Sequence, residues 1–365
     1  MSWLFKLRGE VPKKWRLVLE IIGIGILLLL WIMVSSGANP IMAPNVMPPP
    51  SKVLAAYGDM FRDNNLVQNL FRSIGLNLAG YIKALMLTIP LGFMIGLYPL
   101  FNGMYQRSID AVRFVPLAAT TSLFIVWFGI SVPMKINFLA FGILIFLLPI
   151  VVQRINEVKD VYLKTVYTIG ATDWQTIRSV YIPSVFSKLI DDIRILTAIS
   201  WTYIVVVETI NAEEGGLGAM TYMARRLSRV DKMFAILILF ILIGIIQDRI
   251  FAKLDKELFP HKYQIKDQHK HGQIKAPSIF DTIFEFAGSA LIWSALGIYF
   301  VLALNEFLGF LGGIKIIDYL FGNTCWAFHT IMLSIIFYKA KKFYMKKSSS
   351  LPSPSKTITE DVSGQ

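Results

Sequence analysis

Five stretches of this chain contain no Asp, Glu, Lys or Arg: 84–106, 114–134, 136–153, 286–305 and 319–338. Each is about the length a helix needs to cross ~30 Å of hydrocarbon. A soluble fold cannot bury that much continuous apolar sequence, and 55% hydrophobic against 16% charged residues points the same way. Three further spans, 17–36, 195–210 and 233–247, are shorter or broken by charge. The expected fold is an all-α polytopic membrane protein with about eight transmembrane helices.

The net charge of +12 could signal nucleic acid, but the placement of the basic residues argues against it. Lys6, Arg8, Lys13, Lys14 and Arg16 precede the first span, and Lys339, Lys341, Lys342, Lys346 and Lys347 follow the last. Excess Lys and Arg beside spans marks the cytoplasmic side, so both termini are expected there. No basic face with interleaved aromatics lies outside the spans, which removes the nucleic-acid reading. The first apolar run is long, and Trp31, Ile32 and Met33 precede no small-x-small site, so a retained helix is expected rather than a cleaved leader. The only cysteine, Cys325, lies in the last span and excludes an intramolecular disulfide.

Along the chain, 1–263 reads as a six-helix transmembrane body with a polar cytoplasmic segment at 157–183. A polar linker at 264–280 separates it from a two-helix transmembrane hairpin at 281–347, and 348–365 is a low-complexity tail expected to be disordered. Before the second span, Pro40, Pro44, Pro48, Pro49 and Pro50 favour extended backbone. Ser51 is then the expected cap of a short amphipathic helix, 52–61, lying on the membrane surface. The third span is expected at 111–130.

The segment 164–183, KTVYTIGATDWQTIRSVYIP, is a polar amphipathic island among lipid-facing spans. Gly170 permits a turn or close backbone approach, and Trp174 and Ile177, three apart, share a helical face. Such an island suits a docking surface for a partner; the alternative is an ordinary loop lying on lipid. Gly170 and Pro183 stand at the spacing of a known signature: Glu-Ala-Ala, three residues, Gly, nine residues, Ile-x-Leu-Pro. Ile89-Pro90-Leu91-Gly92, Trp127-Phe128-Gly129, Arg194, Trp201, Glu208, Gly216-Leu217-Gly218 and Asp248-Arg249 follow the same pattern in order. Over 48–263 the chain resembles the permease subunits of binding-protein-dependent bacterial ABC importers, in their nitrate/sulfonate/taurine/bicarbonate branch.

That resemblance implies a homodimer in the bacterial cytoplasmic (inner) membrane. Two ABC ATPase subunits would carry ATP-Mg and dock on the coupling segment, and an extracytoplasmic binding protein would deliver a small solute, expected to be an anion such as a sulfonate, nitrate or bicarbonate. By position, Lys164, Gly170, Ala171, Asp173, Trp174 and Pro183 form the coupling set. Lys164 replaces the signature Glu, and Thr165 and Val166 replace its alanines, which puts the choice of ATPase in doubt. Where relatives carry Pro-Pro-Leu-Ala-Trp-Ile-Pro, this chain has Pro116-Leu117-Ala118-Ala119-Thr120-Thr121-Ser122. Thr120, Thr121 and Ser122 thereby become candidates to line the pathway, with Trp201 and Glu208.

Glu208 is either a gate or dimer contact, or a carboxylate snorkelling outward or paired with Arg225 or Arg226; a charge in a span is costly enough to need one of these. Asp191, Asp192 and Arg194 are expected to form a structural ion pair anchoring the coupling helices. The chain binds no cofactor by this reading. Gly312-Gly313-Ile314-Lys315 fails the phosphate-loop spacing, no catalytic set assembles, and the subunit is not expected to be an enzyme. His261, His269 and His271 sit in a Lys- and Gln-rich linker, so no metal is expected. Two other functions stay open: an importer for a small heterocycle such as a thiamine precursor, and a non-transporting membrane scaffold. A gradient-driven transporter would want mid-membrane charges and an internal repeat, neither of which is evident.

Overall fold

The computed structural model describes residues 13–37, 40–260, 262, 279–309 and 315–349. Every regular element among them is a helix. The first group comprises α1 (Lys13–Ser35), α2 (Pro50–Asp63), α3 (Leu66–Leu97), α4 (Pro99–Val112), α5 (Leu117–Phe128) and α6 (Val132–Asn156). After α7 (Asp160–Thr168) and α8 (Asp173–Thr176) come α9 (Ile182–Ile210), α10 (Leu217–Arg226) and α11 (Val230–Leu258). The C-terminal hairpin consists of α12 (Ile279–Leu308), α13 (Ile316–Phe321) and α14 (Cys325–Ser349). The tail from 350 and most of the expected linker, with His261, His269 and His271, lie outside the described residues.

Six stretches among the described residues are long and apolar enough to cross a membrane: Val18–Ser35, Leu66–Leu97, Val132–Asn156, Asp173–Ile210, Val230–Leu258 and Ile316–Lys341. α4 and α5 make a seventh only as a bent pair meeting at 107°. The straight span expected at 111–130 is therefore corrected. α5 has 12 residues, about 18 Å at 1.5 Å per residue, which falls short of the hydrocarbon thickness. Pro116 is the cause. It offers no N–H, it drives Val115 away from helical backbone, and it stands at the extended position just before α5. Pro99 splits the apolar window 84–106 in the same way, with Tyr98 extended before it.

The centre of the body is the long contact of α3 with α6. A Cβ at Gly80 would lie 2.7 Å from that of Leu139, and one at Gly92 would lie 2.4 Å from Val151 Cγ1. Lipid is as apolar as leucine, so close backbone approach along small residues is what favours helix over lipid. α9 closes on the same core through Val185, Leu189 and Leu196. α1 meets the body where the Trp31 ring stacks on Phe234 at 5.9 Å.

α2 departs from expectation. Pro49 occupies the cap position, no side chain caps the helix, and Ser51 already lies within it. Nor does α2 lie only on lipid: Val53, Ala56 and Met60 are buried with Ala235 and Ile236 of α11. The Tyr57 hydroxyl donates to the Ala235 carbonyl at 2.7 Å.

The hairpin packs on the outer flank of α3. Phe321 meets Phe71 edge-on at 5.3 Å, the Gln68 amide donates to the Tyr319 carbonyl at 3.0 Å, and Thr324 fills the space beside Gly75. At its far end Lys339 pairs with Glu257 of α11 at 2.8 Å.

Candidate functional site

Two polar regions stand at opposite ends of α9. The first is the pair α7–α8. Gly170 ends α7 with φ +80, a conformation that costs L-residues roughly 1–2 kcal/mol and glycine nothing. Its N–H reaches the Tyr167 carbonyl at 3.0 Å, and the Ala171 N–H reaches that of Val166 at 3.1 Å. These two bonds satisfy carbonyls that the helix end would leave open. Thr172 and Gln175 then form a reciprocal capping box on α8, and the Tyr167 hydroxyl donates to Asp173 at 3.2 Å.

The result is a fixed helical corner that carries exposed apolar side chains. Val161, Tyr162, Tyr167, Ile169 and Trp174 are all exposed there, Ile169 at 79% and Trp174 at 67%. Lys164 is exposed on the same short helix. Among the described residues nothing beyond its own chain neighbours lies within 4 Å of a Cβ placed on Gly170. Pro183 enters α9 after a five-residue π-helical turn, Ile177–Tyr181, in which the Ile182 N–H reaches the Ile177 carbonyl. The widened turn accommodates a proline that cannot donate and would crowd the carbonyl four residues before it.

Charge ties this corner to the body. Arg154 of α6 holds Asp192 through two hydrogen bonds of 2.7 Å and also reaches Glu157 at 2.8 Å. Lys188 completes the cluster at 2.9 Å from Glu157. Hydrogen bonds from Lys188 and then Arg154 hold the Glu157 carboxyl at about 2, well below its usual range. The expected trio is thus rearranged: Asp192 turns to Arg154, Asp191 to Lys262 at 3.1 Å, and Arg194 to Asp248 of α11. The reason is geometric. Consecutive residues on α9 point to different neighbours, so each finds its partner on another element.

The second region surrounds Glu208, which is 2% exposed. One carboxylate oxygen accepts from Ser73 Oγ at 2.6 Å and the other from the Gly218 N–H at 2.7 Å. Ser73 Oγ in turn accepts from the Leu217 N–H at 2.8 Å, and Asn69 Oδ1 accepts from the Gly216 N–H at 2.7 Å. Three successive N–H groups opening α10 are therefore satisfied by side chains of α3 and α9, with a carboxylate at the positive end of the helix. Arg72 donates to the Glu214 carbonyl at 2.9 Å. Lys135, also buried, pairs with the Glu214 carboxylate at 2.6 Å. A cavity of about 270 Å³ lies beside this network, lined by Arg72, Lys135, Glu208, Glu213, Glu214 and Thr324 among others.

Neither Arg225 nor Arg226 supplies Glu208's recorded bonds; both guanidinium groups lie near the Tyr222 ring. Trp201 is buried, donates to Gln247 at 2.7 Å and meets Phe240 at 5.7 Å, which joins α9 to α11. Thr120 is buried and bonds the Leu117 carbonyl at 2.8 Å, while Ser122 is exposed. Thr121 Oγ1 is buried without a hydrogen-bond partner. Asn69, Arg72, Ser73 and Lys135 were missed in the sequence. Their signal is the i, i+3, i+4 spacing of 69, 72 and 73 on one face of α3, together with a lysine inside an apolar helix.

Residues 88–260 match the family of the binding-protein-dependent transport system inner membrane component. The taurine transport system permease protein TauC of Escherichia coli is 26% identical over 260 residues, covering 70% of this chain and 94% of its own length. The formylaminopyrimidine transport permease protein ThiX of Halalkalibacterium halodurans is 27% identical over 244 residues, covering 64% and 92%. A solved chain of the MetNI methionine ABC transporter, in inward facing conformations, aligns over 53% of this chain and 95% of its own at TM-score 0.47 and 18% identity. The matched segment contains α5 to α11 with the α7–α8 corner and Glu208, while Asn69, Arg72 and Ser73, which complete the Glu208 network, precede it.

Proposed function

We propose that this chain is the transmembrane permease subunit of an ATP-driven importer, with ATPase subunits docking on α7 and α8. The observation that carries the docking assignment is the exposure of Val161, Tyr162, Tyr167, Ile169 and Trp174 on a corner too polar elsewhere to sink into lipid. Two copies enclose the pathway, and a binding protein delivers solute at the Glu208 end. The chain sits in a bacterial inner membrane with both termini on the ATPase side. It binds no cofactor itself; ATP-Mg belongs to the ATPase. ATP closes the ATPase pair, and the corner passes that motion into α6 and α9 through the Arg154–Asp192 pair.

The solute is a small anion of the sulfonate class, supported by the similarity to a taurine permease along nearly that relative's whole length. A second reading, a small heterocycle, rests on the comparable similarity to a formylaminopyrimidine permease. The test is reconstitution with the co-purifying ATPase and binding protein in proteoliposomes. ATP-dependent uptake of a labelled sulfonate, abolished by Gly170→Trp, is the expected result. Uptake of the pyrimidine alone selects the second reading, and failure of any ATPase to co-purify sinks the importer assignment.

A further inference from the structure

The outer two turns of α3 present two adjacent faces. Asn69 and Arg72 hold the loop before α10, and Ser73 shares Glu208 with it. Gln68, Phe71 and Gly75 meet the hairpin. The fit on the second face is close: a Cβ at Gly75 would fall 2.3 Å from Thr324 Oγ1 and 2.8 Å from the Phe321 ring. Phe321 and Thr324 are both buried, and Phe321 stacks on Phe328 of α14 at 4.4 Å. The hairpin turn also walls the cavity beneath the loop.

α6 clamps α3 at Gly80 and Gly92, which leaves the turns before Gly80 to be held by the loop before α10 and by the hairpin. A slide of one residue is about 1.5 Å with a turn of about 100°, and hydrogen bonds of 2.6–2.8 Å at Ser73 do not survive that. We infer that the C-terminal hairpin is a positioning element of the transport body: its turn, wedged on Gly75, fixes the rotation of α3 so that Ser73 and Asn69 stay in register with Glu208 and the Gly216–Gly218 loop. The residues acting through this contact are Gly75, Phe321 and Thr324. The consequence for transport rests on the importer reading, in which this loop faces the binding protein.

The test uses the full chain in a Cys325→Ala background, with Ala219→Cys as reporter. Ala219 is 3% exposed at the start of α10, so a membrane-impermeant thiol reagent should label it slowly. Gly75→Leu wedges the hairpin away, and Phe321→Ala releases it from the hairpin side without touching α3. A Gln68→Cys/Tyr319→Cys pair reports, by oxidative cross-linking, whether the hairpin remains docked. The expected result is loss of cross-linking in both variants with labelling of position 219 accelerated about tenfold or more, as local opening becomes easier. Uptake per ATP should fall in parallel.

Lost cross-linking with unchanged labelling reduces the hairpin to an anchor and overturns the inference. So does retained cross-linking in both variants, because the wedge would then not hold the hairpin. If the parent protein fails to transport, the importer reading falls while the labelling still decides this one.

Discussion

Glu208 and Ser73 lie 135 positions apart in sequence and share a buried hydrogen bond of 2.6 Å. The serine hydroxyl donates to the carboxylate while its oxygen accepts the Leu217 N–H, and the other carboxylate oxygen takes the Gly218 N–H. One acidic residue thereby joins α3, α9 and α10, and its position is fixed by backbone donors. A side chain held in this way shapes the loop; it is not free to swing as a gate alone.

Glu208→Ala should therefore destabilise the fold. It leaves the Gly218 N–H and the Ser73 hydroxyl buried without an acceptor, each worth about 1–3 kcal/mol when orphaned. Thermal unfolding in detergent should shift down clearly, and Glu208→Gln should recover part of the loss by keeping one acceptor. An unchanged midpoint in Glu208→Ala would mean that water satisfies these donors.

Gly216 gives a sharper contrast. It sits at φ +107, and a Cβ there would lie 2.3 Å from a Glu208 oxygen. Gly216→Ala combines backbone strain of about 1–3 kcal/mol with a collision against a carboxylate that cannot move aside. Gly103, within α4, has open space at its Cβ, so Gly103→Ala should stabilise by roughly 0.4–1 kcal/mol. Opposite shifts in the two midpoints are expected, and equal ones would deny the crowding at Gly216.

The spans were legible because lipid demands long uncharged helices: α6 lies close to the uncharged window 136–153, whereas α3 begins well before the window 84–106 and α11 runs well past 247. The turn between α7 and α8 was legible through Gly170, which does adopt φ +80 there. The bend between α4 and α5 was hidden by hydropathy, which averages over Pro116 while the backbone does not. The Glu208 network was half legible: the carboxylate and glycines stood out, but Asn69 and Ser73 look like ordinary polar residues until α3 is brought against α10. Asp191, Asp192 and Arg194 do enter ion pairs, with Lys262, Arg154 and Asp248, and it is these pairings with other elements that the sequence did not single out.

Glu157 sets an acid limit on the corner. Hydrogen bonds from Lys188 and Arg154 hold its carboxyl down at about 2, below its ordinary 4.5, so its charged form is favoured in the folded state. Its contribution is complete above about pH 4.5 and is lost as pH falls through the folded value near 2. Removing the charge with Glu157→Gln should lower stability at neutral pH, and the gap from the parent should close as pH falls below 4.5. The carboxylate is about a third exposed, so salt should shrink the gap as well. A gap that is constant from pH 6 to 3 would sink the assignment.

Trp174 separates docking from folding. It is 67% exposed on a four-residue helix whose ends are fixed by the Thr172–Gln175 box and the Tyr167–Asp173 hydrogen bond. None of those bonds uses the indole, so Trp174→Ala should change the unfolding midpoint by no more than ~0.5 kcal/mol, as at other surface sites. An indole buried by a partner is often a centre of binding energy, with losses of 2 kcal/mol or more on truncation, or roughly thirtyfold in affinity. Titrating the purified ATPase against the parent and Trp174→Ala should show that loss with the fold intact. Equal affinities would move the docking surface off this corner, whereas a lost fold would show that the indole packs against the chain itself.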